Sequence, residues 1–139
     1  MADSLGNALA VRVDVSDSES VEDAAERIES ELGPLGVWVN NAGIIGVDHV
    51  RRVRSRLDRQ DEERVAGDRV TTPLDAVVRL SDEEWRSLMA VHLDGTFFGT
   101  RTAARRMAPR GSGAIVNMSS ICGIEGCVGH PHYSAACGS

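Results

Sequence analysis

Two hydroxyl-bearing side chains near the end of the chain have the types and the spacing for proton chemistry. Ser120 follows the short apolar run 114–118, and Tyr133 lies thirteen residues further on, just after Pro131. A serine hydroxyl can hydrogen-bond a carbonyl or alcohol oxygen, and a tyrosine phenol can pass a proton to it. The pair therefore indicates a site that handles the oxygen of an alcohol or carbonyl compound.

The residues around this pair predict the elements that would position it. Gly113 opens the run 114–118, which predicts a buried strand, and glycines at 123, 126 and 129 predict a loop after it. Pro131 predicts the start of a helix that carries Tyr133. A strand that ends in a glycine-rich loop is where open α/β sheets place their chemistry.

The first part of the chain has the pattern of a strand, a helix and a second strand. Residues 8–15 predict a buried strand, and residues 37–39 predict another, which leads into Asn40-Asn41-Ala42-Gly43. Between them, one apolar stripe predicts an amphipathic helix: Val21, Ala24, Ala25, Ile28 and Leu32. A strand, a helix and a strand joined by short connections predict that the two strands are parallel.

Capping patterns place the starts of two helices. Ser16 and Glu19 have the spacing of a capping box, with Ser18 as an alternative cap, and Ser81 and Glu84 repeat the pattern. The second helix should run to about residue 107, with the apolar stripe Trp85, Leu88, Met89, Leu93 and Phe97. Its glycines at 95 and 99 each cost about 1 kcal/mol of helix propensity, so they predict close packing against another helix.

Residues 47–70 differ from the rest because they are dense in charges of both signs. Val50, Val53 and Leu57 have helical spacing, which predicts a solvated amphipathic helix. The mixed charges favour a solvated surface segment over a phosphate-binding patch. A flap over a pocket mouth is a further hypothesis, which depends only on the position of the segment.

Together these motifs resemble the short-chain dehydrogenase/reductase family, in the manner of its 3-oxoacyl-ACP reductases and hydroxysteroid dehydrogenases. The resemblance depends on Ser120, on its spacing to Tyr133 and on Asn40-Asn41-Ala42-Gly43 after a strand. It runs from about residue 11 to residue 136, and residues 47–70 look like an insertion. It implies an NAD(P)-dependent oxidoreductase that transfers hydride between nicotinamide and a secondary alcohol or ketone.

The resemblance also implies roles for individual positions. Tyr133 would be the acid or base, and Ser120 would steady the substrate oxygen. His92 stands where the family has an asparagine that holds a water in a proton relay; a half-buried packing histidine is the reading we favour. The positions implied for contact with NAD or NADP are Asp14, Val15, Asn41, Ala42 and Gly43. For Asp14 and Gly43, the alternative is a strand end and a turn that contact no ligand.

Cys137 stands four residues after Tyr133, where the family has its catalytic lysine, and all 15 basic residues of the chain are arginines. In the family, the lysine ammonium favours the tyrosine phenolate and holds the nicotinamide ribose. A tyrosine with the reference pKa near 10 is phenolate in only about one molecule in a thousand at pH 7. We therefore expect no dehydrogenase activity from this chain alone.

The family begins with a strand, a glycine-rich turn, a helix and a second strand, and the sequence matches none of these. The resemblance therefore implies an α/β fold, a partial Rossmann-like doubly wound parallel sheet that lacks its first two strands and its C-terminal strands. We expect one such domain over residues 1–139, truncated at both ends. The predicted strand 8–15 then either pairs with the strand at 37–39 or stays unpaired.

Composition excludes several classes of protein. The net charge of -6 argues against a nucleic-acid partner. The sequence contains no run of 18 apolar residues, so we expect no membrane span. Residues 1–6 do not have the pattern of a secretory signal, so we expect a cytoplasmic protein. Three cysteines, an odd number, predict free thiols, and their spacing to His130 and His132 matches no zinc pattern, so we expect no metal.

Two other functions stay open. The chain could be a non-catalytic relative that associates with intact homologues, because in the family the helix at 82–107 and the helix near Tyr133 form a dimer face. The same helix predicts a homo-oligomer. The weaker alternative is a thiol-binding or metal-binding module that uses Cys122, Cys127 and Cys137.

Overall fold

The computed structural model describes residues 8–138, which form two compact units. The first unit contains residues 8–42 and 90–118, and the second contains residues 43–89 and 119–138. Residues 1–6, for which the sequence predicts no secretory signal, lie outside the described residues. None of the described helices is long and apolar enough to cross a membrane.

Seven regular elements carry most of residues 8–138, and the parallel strands place the chain in the α/β class as a partial Rossmann-like fold. In chain order they are α1 (Ser18–Leu32), β1 (Val37–Asn40), α2 (Val47–Val65), α3 (Asp82–Met89), α4 (Gly95–Met107), β2 (Ala114–Asn117) and α5 (Pro131–Cys137). Shorter turns complete the path: a π-helical segment Ala90–Asp94 and 3-10 turns at Ala108–Arg110 and Ile121–Gly123.

The first unit is built on the parallel pair β1 and β2, in which Val37 lies opposite Ala114 and Asn40 lies opposite Asn117. Helices α1 and α4 pack on each other, and α4 packs on β1. The buried core there consists of Ala25, Leu35, Ala103 and Met107, with Ile28, Trp38 and Ile115 packed against it. The predicted strands at 37–39 and 114–118 are therefore confirmed, and so is the parallel direction.

The prediction that the sheet is buried is wrong for one of its faces. Val37 is 62% exposed and Val39 is 54% exposed, and Val116 of the neighbouring strand is also exposed. Side chains alternate between the two faces of a strand, so only Trp38, Ile115 and their face neighbours reach the helices. The helices cover one face of this strand pair. Because the strands are apolar on both faces, the sequence predicted burial for side chains that are in fact exposed.

The predicted strand 8–15 does not form, because residues 8–14 have no regular secondary structure and Val15 begins a turn. A strand is stabilised by its ladder of hydrogen bonds, and no described strand pairs with this segment. The unpaired outcome is therefore the correct one of the two that the sequence left open. Asp14 is instead held locally, since its backbone N–H donates to Ser20 Oγ at 2.9 Å.

Helix α1 begins later than the capping-box pattern predicts. Its N-cap is Asp17, whose carboxylate accepts from Glu19 N at 3.0 Å, so neither Ser16 nor Ser18 is the cap. Ser16 is used elsewhere, because its hydroxyl donates to Asp14 Oδ1 at 2.6 Å. At α3 the predicted capping box is confirmed: Glu84 N donates to Ser81 Oγ at 3.1 Å and Ser81 N donates to Glu84 Oε2 at 3.0 Å.

The helix predicted to run to residue 107 does so, but with the π-helical segment Ala90–Asp94 between α3 and α4. Its glycines pack closely, although not against another helix as predicted. A Cβ at Gly99 would lie 2.7 Å from Trp38 Nε1 of β1, and one at Gly95 would lie 3.1 Å from Val15 Cγ2. The glycines therefore let α4 approach a strand and the segment before α1.

The second unit contains α2, α3 and α5 with the loop 119–130. The charged stretch 47–70 forms the predicted helix, α2, with Val53 buried on its inner side. Gly129 allows the loop to pack there, because its φ of 80° suits glycine and a Cβ would lie 2.5 Å from Val53 Cγ1. Leu88 of α3 is buried, and α3 contacts α5.

Candidate active site

Ser120 caps the turn that follows β2. Its side-chain oxygen accepts a hydrogen bond from Cys122 N at 3.2 Å, and it precedes the 3-10 turn Ile121–Gly123. Ser120 is half-buried. A hydroxyl that accepts one hydrogen bond keeps its own proton for donation, so this cap leaves Ser120 able to bind a substrate oxygen.

Tyr133 lies in the first turn of α5, as the sequence predicts, and is half-buried. Two hydrogen bonds fasten this helix to the loop that carries Ser120. Cys127 N donates to Ser134 Oγ at 2.9 Å, and Ser119 Oγ donates to the carbonyl of Cys137 at 2.6 Å. Ser119, next to Ser120, and Ser134, next to Tyr133, thus each take part in a hydrogen bond between the loop and α5.

A disulfide between Cys122 and Cys127 closes the loop between Ser120 and α5. The prediction of free thiols is therefore wrong for these two cysteines, and Cys137 is the free cysteine. The loop brings their Cα atoms to 4.9 Å, within the range that a disulfide needs. Cys122 and Cys127 are therefore not free thiols in this structure, and among residues 8–138 no group of three or more His, Cys, Asp or Glu side chains is arranged to hold a metal ion.

In the first unit, three of the five positions implied for cofactor contact line one small cavity. Val15, Asn41 and Ala42 share its wall with Trp38, Val39, Asn40, Val91, Gly95 and Thr96. Its volume is about 80 Å³, whereas sites for small organic ligands are about 300–1,000 Å³. The cavity is therefore too small to enclose a ligand of that size.

The other two cofactor positions lie outside this cavity. Asp14 is exposed, and its carboxylate accepts from the hydroxyl of Ser16 at 2.6 Å and from Ser16 N at 3.0 Å. These hydrogen bonds hold the pKa of Asp14 below its ordinary value because they stabilise the carboxylate. Gly43 belongs to the second unit.

Asn40, at the end of β1, links three elements of the first unit. Its side-chain N–H₂ donates to Asn117 Oδ1 of β2 at 2.8 Å and to Thr100 Oγ1 of α4 at 3.1 Å. Its Oδ1 accepts from Trp38 Nε1 at 2.7 Å. Asn40 therefore holds the strand end that presents Asn41 and Ala42.

A family model described as short chain dehydrogenase matches residues 1–138. This chain belongs to the short-chain dehydrogenase family. The resemblance inferred from Asn40-Asn41-Ala42-Gly43, Ser120 and Tyr133 is confirmed.

Curated short-chain dehydrogenase relatives match almost the whole chain. An uncharacterized oxidoreductase of Mycobacterium bovis is 38% identical over 130 residues, which are 93% of this chain and 41% of the relative. A galactitol 2-dehydrogenase (L-tagatose-forming) of Cereibacter sphaeroides is 32% identical over 97% of this chain and 42% of its own length. An NADP-dependent (R)-specific alcohol dehydrogenase of Lentilactobacillus kefiri is 37% identical over 90% and 38%. The chain thus spans about two fifths of the length of these relatives.

Cys137 is where this short-chain dehydrogenase departs from the family pattern. It is the last residue of α5, one helical turn after Tyr133, so the two side chains share a helix face. A lysine at this position would place a positive charge beside the phenol. The thiol of Cys137 carries no positive charge at any pH.

His92 lies in the π-helical segment Ala90–Asp94 and is half-buried. Single π-turns inside α-helices often occur at functional sites. The half-burial agrees with the packing interpretation that the sequence favours, and the irregular backbone agrees with the relay position that the resemblance implies. Both readings of His92 stay open.

Three histidines meet in the second unit, which sequence reasoning missed. The His49 ring lies 4.3 Å from the His132 ring and 5.5 Å from the His130 ring, centroid to centroid. His49 and His132 are buried, and His49 Nε2 donates to the carbonyl of Gly129 at 2.7 Å. His130 and His132 flank Pro131 in the sequence, but nothing local pairs them with His49, which is 81 residues before His130.

Burial and mutual repulsion keep two of these rings neutral. Burial first, and then the neighbouring His49 and His130, lower the pKa of His132 to about 4. Burial and His49 also lower the pKa of His130. Neither ring nitrogen of His132 has a hydrogen-bond partner among the described residues. At neutral pH the ring of His132, which lies on α5 directly before Tyr133, is therefore uncharged where it packs against His49 of α2.

Proposed function

We propose that this chain is an oxidoreductase polypeptide that acts on the oxygen of a secondary alcohol or ketone, with NAD or NADP as hydride carrier. The observation that carries the proposal is that hydrogen bonds join the loop after β2 to α5 in the second unit. Ser120 caps the turn at the start of this loop, and Tyr133 lies in the first turn of α5. Membership in the short-chain dehydrogenase family supports the same reaction class.

In this proposal Ser120 donates its hydroxyl proton in a hydrogen bond to the substrate oxygen. Tyr133 gives a proton to that oxygen during carbonyl reduction, or takes one during alcohol oxidation. The cap on Ser120 and the two hydrogen bonds to α5 restrict the motion of both side chains, which favours a fixed geometry. His92 would assist as a water-holding group at the position of the family asparagine.

The nicotinamide cofactor would supply or accept the hydride when it is bound. Val15, Asn41 and Ala42 would contact its adenosine end, since they line one cavity in the first unit. Asp14 could accept a hydrogen bond from the adenine amino group, because its carboxylate is exposed. Gly43 is the fifth position that the resemblance assigns to contact with the cofactor.

We also propose that the chain alone is inactive, because Cys137 replaces the positive charge that favours the phenolate. The test combines NADH and NADPH binding with turnover on a broad carbonyl panel. We expect weak binding and no turnover above background. Ala42→Leu should weaken binding about tenfold because it fills the cavity, while Ala104→Leu, on the exposed side of α4, should not.

Turnover would contradict the inactivity proposal if it disappears in Tyr133→Phe, because that loss would assign the activity to the phenol. Turnover that persists in Tyr133→Phe would also contradict the inactivity proposal, and it would assign the activity to groups other than the phenol. Equal cofactor binding by the Ala42 and Ala104 variants would refute the assignment of the small cavity to the cofactor.

A second candidate function is association with an intact homologue or with another copy of this chain. It is favoured by exposed apolar side chains in the first unit, where Phe97 of α4 is 56% exposed and Leu93 is 41% exposed. Contiguous patches of exposed apolar side chains often mark interaction surfaces, whereas single ones are common. Size-exclusion chromatography should show a complex that Phe97→Glu weakens and Arg105→Glu, also on α4, leaves intact. A single monomer peak for every mixture would exclude this function.

A further inference from the structure

The second unit contains a cavity that none of the site residues above uses. It lies between α2 and the turn at 74–79, and its volume is about 340 Å³. Its walls are His49, Arg51, Arg52, Val53, Ser55, Arg56, Leu74, Asp75, Ala76 and Arg79. This volume falls within the range of sites for small organic ligands.

The wall of this cavity carries four arginines and one acid, Asp75. Asp75 Oδ2 lies 2.6 Å from Arg79 Nε and 3.6 Å from Arg56 Nη2. It therefore holds two guanidinium groups in place at the same wall. Each guanidinium has five N–H donors, so most of their donors stay available for a ligand.

The other two arginines are paired with acids that are not part of the cavity wall. Arg52 Nη2 lies 2.5 Å from Glu84 Oε1, and this contact lowers the pKa of Glu84 to about 2. Arg51 pairs with Asp48, and both side chains are more than three quarters exposed, so that pair is weak. Asp48 of α2 and Glu84 of α3 thus offset two of the four arginines from outside the wall, so four arginines against three acids leave a net excess of one positive charge. The sequence favoured a solvated surface segment over a phosphate-binding patch because the charges along residues 47–70 are mixed.

Guanidinium groups bind phosphate and carboxylate oxygens through paired N–H donors, and a cluster of them is selective for ligands with several negative charges. Neutral side chains complete the wall, with Val53 and Leu74 available for the carbon skeleton of a ligand. We propose that this cavity binds a small organic polyanion, one that carries a diphosphate or several carboxylates. The site is separate from the proposed oxidoreductase chemistry and does not depend on it.

His49 gives this ligand site a connection to the helix of Tyr133. Its side chain lines the cavity and also contacts the ring of His132 on α5. A bound polyanion would therefore change the environment of His49, and the ring signals of His49 and His132 in an NMR spectrum should shift together on binding.

The experiment is calorimetric titration of the full chain with inorganic pyrophosphate and, separately, with citrate. We expect saturable binding of one ion per chain. The ion that binds more tightly, pyrophosphate or citrate, shows whether phosphate or carboxylate is the preferred group. Arg56→Gln with Arg79→Gln should weaken binding at least about tenfold. The matched control, Arg64→Gln with Arg86→Gln, removes the same charge from α2 and α3 outside the cavity and should change affinity less than about twofold.

Equal losses in the two double variants would show non-specific attraction and overturn the proposal, as would the failure of both ions to bind. Arg56→Gln with Arg79→Gln leaves Asp75 without partners and could prevent folding, so circular dichroism accompanies each titration. If that variant is unfolded, Arg51→Gln serves in its place, because this exposed side chain can be changed without loss of a buried contact. It should weaken binding about threefold, and no change would count against the site.

Discussion

The two units of this chain are stabilised by different kinds of interaction. The first has a small apolar core, and Arg106 pairs there with Glu22 at 2.7 Å and with Glu29 at 3.2 Å. The second depends on directional links: a disulfide, a cluster of histidine rings in edge-to-face contact and hydrogen bonds between a loop and α5. Apolar packing is insensitive to pH and to reductants, whereas the disulfide responds to reductants and the histidines respond to mild acid. The first unit should respond to pH only in more acidic solution, because hydrogen bonds from Thr102 and Arg106 hold the pKa of Glu22 below its ordinary value. The second unit, which holds Ser120 and Tyr133, should therefore respond to reductants and to mild acid, and the first should not.

Each unit has one tryptophan, so the comparison can be measured directly. Trp38 lies in β1 of the first unit, and Trp85 lies in α3 of the second. Single-tryptophan versions of the protein, in which the other residue is phenylalanine, report on one unit at a time.

The largest expected effect is on the core of the first unit. Ala103→Asp places a carboxylate where the wild-type side chain is fully buried, and it should lower the free energy of unfolding by about 4 kcal/mol. Urea titration followed at Trp38 measures this loss. Ala104→Asp, which adds the same group at the next, exposed position of α4, should cost less than about 1 kcal/mol. Similar losses for the two variants would mean that α4 does not pack as described.

A smaller effect is expected from opening the disulfide of the second unit. Cys122→Ser with Cys127→Ser should lower the free energy of unfolding by about 2 kcal/mol, because the closed loop is short and the entropy it removes from the unfolded chain is modest. A dithiol reductant should give wild type the same loss at Trp85. Cys137→Ser is the control, since this cysteine is free. A reductant that lowers the stability of the double variant as well would show that the disulfide is not the group responsible.

The smallest effect is the pH dependence that the histidine cluster imposes. The pKa of His132 is lowered in the folded state, so below pH 6.5 the unfolded chain binds a proton that the folded chain does not. Stability at Trp85 should therefore fall as the pH is lowered from about 6.5 to about 4. The Glu84 carboxylate acts in a lower window, between about 4.5 and about 2, because Arg52 lowers its pKa.

Replacement of the buried ring tests this assignment. His132→Phe keeps an apolar ring without a titrating group at this position, so the decline between pH 6.5 and pH 4 should become clearly smaller. A smaller decline should remain, because burial and His49 also lower the pKa of His130. His92→Asn, which removes a histidine from the first unit, should leave the decline at Trp85 unchanged. A decline as large in His132→Phe as in wild type would assign the effect to other groups.

Much of this protein follows from local sequence patterns. The stripe from Val21 to Ile28 predicts α1, Ser81 and Glu84 predict the cap of α3, and Pro131 predicts α5, because each signal lies within one or two helical turns. Asn40-Asn41-Ala42-Gly43 and the pair Ser120 and Tyr133 indicate the family for the same reason. Their spacing along the chain is itself the motif.

Tertiary structure decided what depends on distant partners. Residues 8–15 have the composition of a strand but no described strand beside them, so their backbone has no ladder to join. His49 and His132 are far apart in sequence and meet only in the fold. The four arginines and the one acid of the cavity wall come together because α2 and the turn at 74–79 fold against each other. Periodicity and capping are properties of neighbouring residues, whereas burial, pairing and the sign of a cavity's charge are set by which segments the fold brings into contact.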